Sequence, residues 1–92
     1  MKTTVAGLVT PHLLRIVELA NQAQNGAKVD WHVRDAVAKT MGELGDQANA
    51  QQLVDAYLEG LDNAVTQTPK ARTEYIGVLQ AAADSARRLR RD

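Results

Sequence analysis

The sequence predicts an all-α fold, arranged as an antiparallel four-helix bundle or two stacked helical hairpins. Three observations predict it. Apolar residues recur three and four positions apart in four separate stretches. Each stretch is bounded by residues that start or stop helices. No stretch alternates apolar and polar residues as a half-buried strand does. The 92 residues suit one helical domain spanning 1–92.

The first helix is expected to begin at Thr10-Pro11, because threonine caps exposed amides and proline suits the first helical position. Leu13, Ile16, Val17 and Ala20 form its stripe. Leu14 and Leu19 widen it, leaving Arg15, Glu18 and Gln22 as a narrow polar strip. Such a helix is expected to be covered on more than one side. Asn25-Gly26 stops it.

The second helix is expected to start near Asp30, whose carboxylate suits the positive helix end. It continues through Val33, Val37, Met41 and Leu44, and Gly45-Asp46 turns the chain. The third opens at Asn49, with Gln52 placed as in a capping box. Leu53, Val54, Tyr57, Leu58, Leu61 and Val65 make its broad apolar face; Asp55, Glu59 and Asp62 lie opposite. The fourth is expected to open at Thr68-Pro69. Its stripe is Tyr75, Ile76, Leu79, Ala82, Ala83, Ala86 and Leu89. Arg87, Arg88, Arg90 and Arg91 fall in its last turns, where cations oppose the negative helix end. Short connections predict that consecutive helices pack as antiparallel neighbours.

Composition excludes several classes. There is no cysteine, hence no disulfide and no thiolate metal site. No apolar run approaches the ~20 residues of a membrane span, so no membrane partner is expected. The start, Met1 to Val9, lacks the full pattern of a signal peptide, and a cytoplasmic location is expected. Formal net charge is zero, which argues against a generic nucleic-acid binder. The charge is uneven: residues 84–92 hold four arginines against two aspartates, while residues 49–83 hold two basic and four acidic side chains.

Residues 33–58, VRDAVAKTMGELGDQANAQQLVDAYL, resemble one unit of a HEAT repeat. Val33-Arg34 and Ala36 open the first helix of such a unit. Leu44-Gly45-Asp46 form its turn, and Leu53, Val54 and Leu58 line its second helix. A left-handed glycine at the helix end fits that turn. The resemblance covers about a quarter of the chain and implies a protein-binding scaffold rather than an enzyme.

No arrangement of reactive residues points to catalysis. His12 and His32 lack the spacing of a zinc site, and Asp30, His32 and Asp35 read as a surface ion pair or helix-start contact. Ser85, the sole serine, has no neighbouring histidine. Gly60 and Gly77 stand singly within helices, where close helix approach can offset their cost of about 1 kcal/mol. No catalytic residue, cofactor or metal is expected.

The expected function is therefore non-catalytic protein binding, as a small inhibitor or adaptor docking on a larger protein or protein complex. A phage or other mobile element could encode such a chain, an anti-CRISPR-like inhibitor being one example. Its partner-binding residues are expected to be Trp31, an aromatic anchor at the start of a helix, the ridge Asp55, Glu59 and Asp62, and the cluster Arg87, Arg88, Arg90 and Arg91. The alternative is a nucleic-acid-associated regulator using those arginines, since guanidinium forks match phosphate oxygens. The wide apolar surface of the first helix also admits a homodimer.

Overall fold

The computed structural model describes residues 5–90, with side chains through residue 88. Four helices account for most of them: α1 (Val5–Gln24), α2 (Asp30–Leu44), α3 (Ala50–Gln67) and α4 (Thr73–Arg90). All six helix pairs touch, and no strand occurs among the described residues. The chain is an all-α four-helix bundle. The largest interface is between α1 and α4, and the smallest is between the consecutive helices α2 and α3. The short connection between α2 and α3 thus does not make them close neighbours.

α1 begins upstream of the expected Thr10-Pro11, so Pro11 is internal. Thr10 is not a cap; its hydroxyl donates to Ala6 O at 2.8 Å. An internal proline costs about 3 kcal/mol. Val9 is buried, and Val5 and Leu8 pack on the core. A fully buried aliphatic side chain contributes roughly 1.5–3 kcal/mol, so this burial offsets the proline. α1 ends as expected. Ala27 N–H donates to Gln22 O and Gly26 N–H to Ala23 O, both at 3.0 Å. Gly26, at φ +100, supplies the left-handed residue this closure needs.

α2 is entered through Val29, which is buried and offers no side-chain cap. Asp30 is the first helical residue rather than the capping one. Val33, Val37 and Leu44 are buried as the spacing requires, together with Ala36 and Thr40. The Thr40 hydroxyl donates to Ala36 O at 2.8 Å. Gly45 ends α2 in the right-handed region, φ −57 and ψ −30, so that turn does not use glycine's left-handed freedom.

α3 follows its sequence signals closely. Asn49 Oδ1 accepts from Gln51 N–H at 2.8 Å, satisfying one of the orphan amides at a helix start. Leu53, Val54, Tyr57 and Leu61 are buried; Leu58 and Val65 are half-buried at the margin. At Gly60 a Cβ would overlap Leu13 Cδ1, so α1 and α3 approach closely there. Gly77 has no such neighbour.

α4 starts at Thr73, not at Thr68-Pro69. A residue before proline is pushed toward extended backbone. Thr68, at φ −90 and ψ 133, obeys and caps the end of α3, its hydroxyl donating to Ala64 O at 2.6 Å. Pro69 to Arg72 form a turn, with Arg72 N–H donating to Pro69 O at 3.0 Å. α1 then supplies partners for the start of α4. Gln24 Oε1 accepts from Tyr75 N–H at 3.2 Å, and Arg72 Nη2 donates to Asn21 Oδ1 at 3.1 Å. The Arg72 guanidinium also lies 4.3 Å from the Tyr75 ring centre. Tyr75, Val78, Leu79, Ala82 and Ala86 are buried.

One polar group in the core stands out. Tyr57 is fully buried, and among the described residues its hydroxyl has no hydrogen-bond partner of good geometry. Burial pushes its phenol up to about 12, against smaller opposing pulls from the Thr40 hydroxyl and the Arg15 guanidinium.

Candidate partner-binding surfaces

Among the described residues, the two large apolar side chains left open are Leu14, 63% exposed, and Trp31, 64% exposed. Leu14 lies on the side of α1 away from the buried Ile16 and Ala20, so α1 is not covered all round. Trp31 is the second residue of α2. Its indole stacks on the His32 ring, with centres 4.3 Å apart and planes at 29°. Neighbouring residues at a helix start point in different directions, which keeps this pair off the core-facing stripe of Val33 and Val37.

One residue of the acidic ridge, Asp62, and one of the arginine cluster, Arg87, border the same groove. It runs between α3 and α4 with a volume of about 340 Å³. Leu61 and Leu79 form its buried floor, and Leu58, Val65 and Ala83 are half-exposed along it. Asp62 borders it from α3; Gln80, Asp84 and Arg87 border it from α4. Arg87 Nη1 donates to Asp84 Oδ1 at 3.0 Å, an exposed pair one helical turn apart. Asp55 lies two turns before Asp62 on the same side of α3, and Glu59 points further outward. Among the described residues, no cation pairs with Glu59 or Asp62.

Arg88 turns to a different cleft. With Arg34, Ser85, Asp30 and Asp84 it lines a space of about 190 Å³ between α2 and α4. Trp31 borders neither groove. The Arg90 side chain and Arg91 lie outside the described residues, as does the Leu89 side chain.

The histidines share no site. His12, on α1, has Nε2 3.8 Å from Glu43 Oε2 of α2. Asp35 pairs with Lys39 Nζ at 3.1 Å rather than with His32. Among the described residues, no group of three or more His, Asp or Glu side chains is placed to hold a metal ion. No described helix is long and apolar enough to cross a membrane.

Helical spacing alone does not reveal the contributions of Gln80 and Asp84 on α4 and of Arg34 on α2. The marginal positions of Leu58 and Val65 on the α3 stripe were the available signal for a half-open edge. The chain matches no protein-family model, no curated protein and no solved structure.

Proposed function

We propose that the chain is a non-catalytic protein-binding module, a small inhibitor or adaptor that docks on a larger protein assembly. The observation that carries this reading is the exposed Trp31, braced by His32. The other two aromatic residues of the tyrosine and tryptophan kind, Tyr57 and Tyr75, are buried. A tryptophan side chain buries roughly 150–250 Å² in an interface. Covering the open part of Trp31 is worth about 3 kcal/mol at ~25 cal/mol per Å², on the order of a hundredfold in Kd. Stacking on His32 limits the rotamers it loses on binding.

The HEAT-like pattern at 33–58 points toward the same scaffold role, and Trp31 precedes that segment by two residues. The small size and the charged helix faces fit a cytoplasmic chain, encoded by a phage or another mobile element and directed at a host complex. An anti-CRISPR-like inhibitor is one example.

Affinity capture from host cells with tagged wild-type and Trp31→Ala proteins tests the reading. Specific partners retained by the wild type and lost from a folded Trp31→Ala variant support it. Equal recovery by both variants removes Trp31 as the anchor.

A second reading, a nucleic-acid-associated regulator, draws on Arg34 and Arg88 lining one cleft. Asp30 and Asp84 share that cleft and repel phosphate. The second reading requires DNA or RNA binding that falls steeply with salt and is lost when Arg87, Arg88, Arg90 and Arg91 are replaced.

A further inference from the structure

We infer that the cleft between α2 and α4 grips a carboxylate side chain, a glutamate or an aspartate, of the partner protein, a deepening that rests on the protein-binding reading. Two guanidiniums from different helices line the cleft, Arg34 of α2 and Arg88 of α4. Among the described residues, neither forms an ion pair or a hydrogen bond. The half-buried Ser85 lines the same space, and its hydroxyl is likewise without a partner among those residues. Guanidinium forks and a hydroxyl donor match the oxygens of a single carboxylate.

The two carboxylates in the lining are already answered. Asp84 Oδ1 accepts from Arg87 Nη1 at 3.0 Å, and Asp30, the first residue of α2, sits at the positive end of its own helix. Two unpaired cations remain in the lining. An incoming carboxylate has two oxygens, which can both turn to the arginine side. A phosphate monoester presents three acceptor oxygens, and Asp30 and Asp84, acceptors only, offer the third no donor. Size selects a side-chain tip. The cleft holds about 190 Å³, below the roughly 300 Å³ at which pockets for free ligands begin. Position ties it to the partner. Trp31 and Arg34 lie three residues apart on α2 and are neighbours on one helix surface. A segment that covers the exposed Trp31 therefore reaches Arg34 as well.

The test titrates N-acetyl-glutamate amide into the whole isotope-labelled chain, with N-acetyl-glutamine amide as the neutral control. Nuclear magnetic resonance of the arginine Nε–H groups is expected to show saturable shifts at Arg34 and Arg88 with the glutamate probe alone. Arg34→Gln and Arg88→Gln are each expected to weaken binding at least about tenfold. Asp30→Asn removes an opposing carboxylate and is expected to tighten it. Arg15→Gln, at an exposed position of α1, is expected to leave it unchanged. In affinity capture, a folded Arg34→Glu, Arg88→Glu variant is expected to lose the partners that the wild type retains through Trp31.

Absence of saturable shifts overturns the inference. So does an equal response to the neutral probe, or an equal response at Arg15, which would show unselective charge attraction. Tighter binding of inorganic phosphate than of the glutamate probe overturns it in favour of the nucleic-acid reading. Self-association in sedimentation that Arg34→Glu, Arg88→Glu removes would place an acidic side chain of a second copy in the cleft and overturn it as well. If the titration fails while Trp31-dependent capture persists, the carboxylate site falls and the protein-binding reading stands. If the titration holds while capture does not depend on Trp31, the carboxylate site stands and the Trp31 anchor falls.

Discussion

The buried phenol of Tyr57 makes the stability of the bundle sensitive to alkali in a calculable way. Folding raises its pKa from 10.0 to about 12, burial being the main cause. The folded state thus holds the phenolic proton more tightly than the unfolded state. Its contribution is fully present below pH ~10 and is lost as pH rises toward ~12. At ~1.4 kcal/mol per pKa unit, the loss is about 1.4 kcal/mol at pH 11 and approaches 2–3 kcal/mol above pH 12. The measurement is a difference between the wild type and Tyr57→Phe, so that only the Tyr57 phenol contributes. Urea unfolding followed by circular dichroism at pH 8 and pH 11 should show the wild type losing about 1.4 kcal/mol more than the variant. At pH 8 the variant should be within ~1 kcal/mol of the wild type, because the deleted hydroxyl has no hydrogen bond. Identical pH slopes would refute the reasoning. A loss of more than ~2 kcal/mol in Tyr57→Phe at pH 8 would show that the hydroxyl is hydrogen-bonded, the Thr40 hydroxyl being the group that pulls on it.

Three further substitutions probe the helices. Pro11→Ala restores an N–H donor inside α1 and is expected to raise stability by about 1–3 kcal/mol; a lower thermal midpoint would contradict the cost assigned to the internal proline. Gln24→Ala removes the acceptor of Tyr75 N–H and should cost about 1 kcal/mol, with faster amide exchange at Tyr75 as the local readout. Gly77→Ala meets nothing within 4 Å and should stabilise by about 1 kcal/mol. Gly60→Ala displaces Leu13 and should gain less than Gly77→Ala in the same denaturation assay.

Local signals were legible where one physical cause dominated. α3 is the clearest case: Asn49 caps it and the stripe from Leu53 to Leu61 is buried. The two Thr-Pro steps misled because the same dipeptide suits either end of a helix. Packing of Val9 carries α1 straight through Pro11, while the extended backbone of Thr68 ends α3 before Pro69. Thr40 lies in the core although its side chain is polar, because its hydroxyl is satisfied by its own helix. The exposure of Trp31 follows from its place in the first turn of α2. The meeting of Asp62 and Arg87 at one groove depends on how α3 and α4 are rotated about their axes. Hydrophobic spacing fixes each helix's inward face but not which outward residues become neighbours across the seam.

The broad contact between α1 and α4 joins the first and last of the four described helices. A chain that extends only as far as α3 lacks the helix with which α1 shares its broadest contact. The full core then waits for α4, although α1 already meets α2 and α3 before it. A fragment comprising 1–72 should accordingly show the circular dichroism of a largely unstructured polypeptide. Adding a peptide of 73–92 should restore helicity.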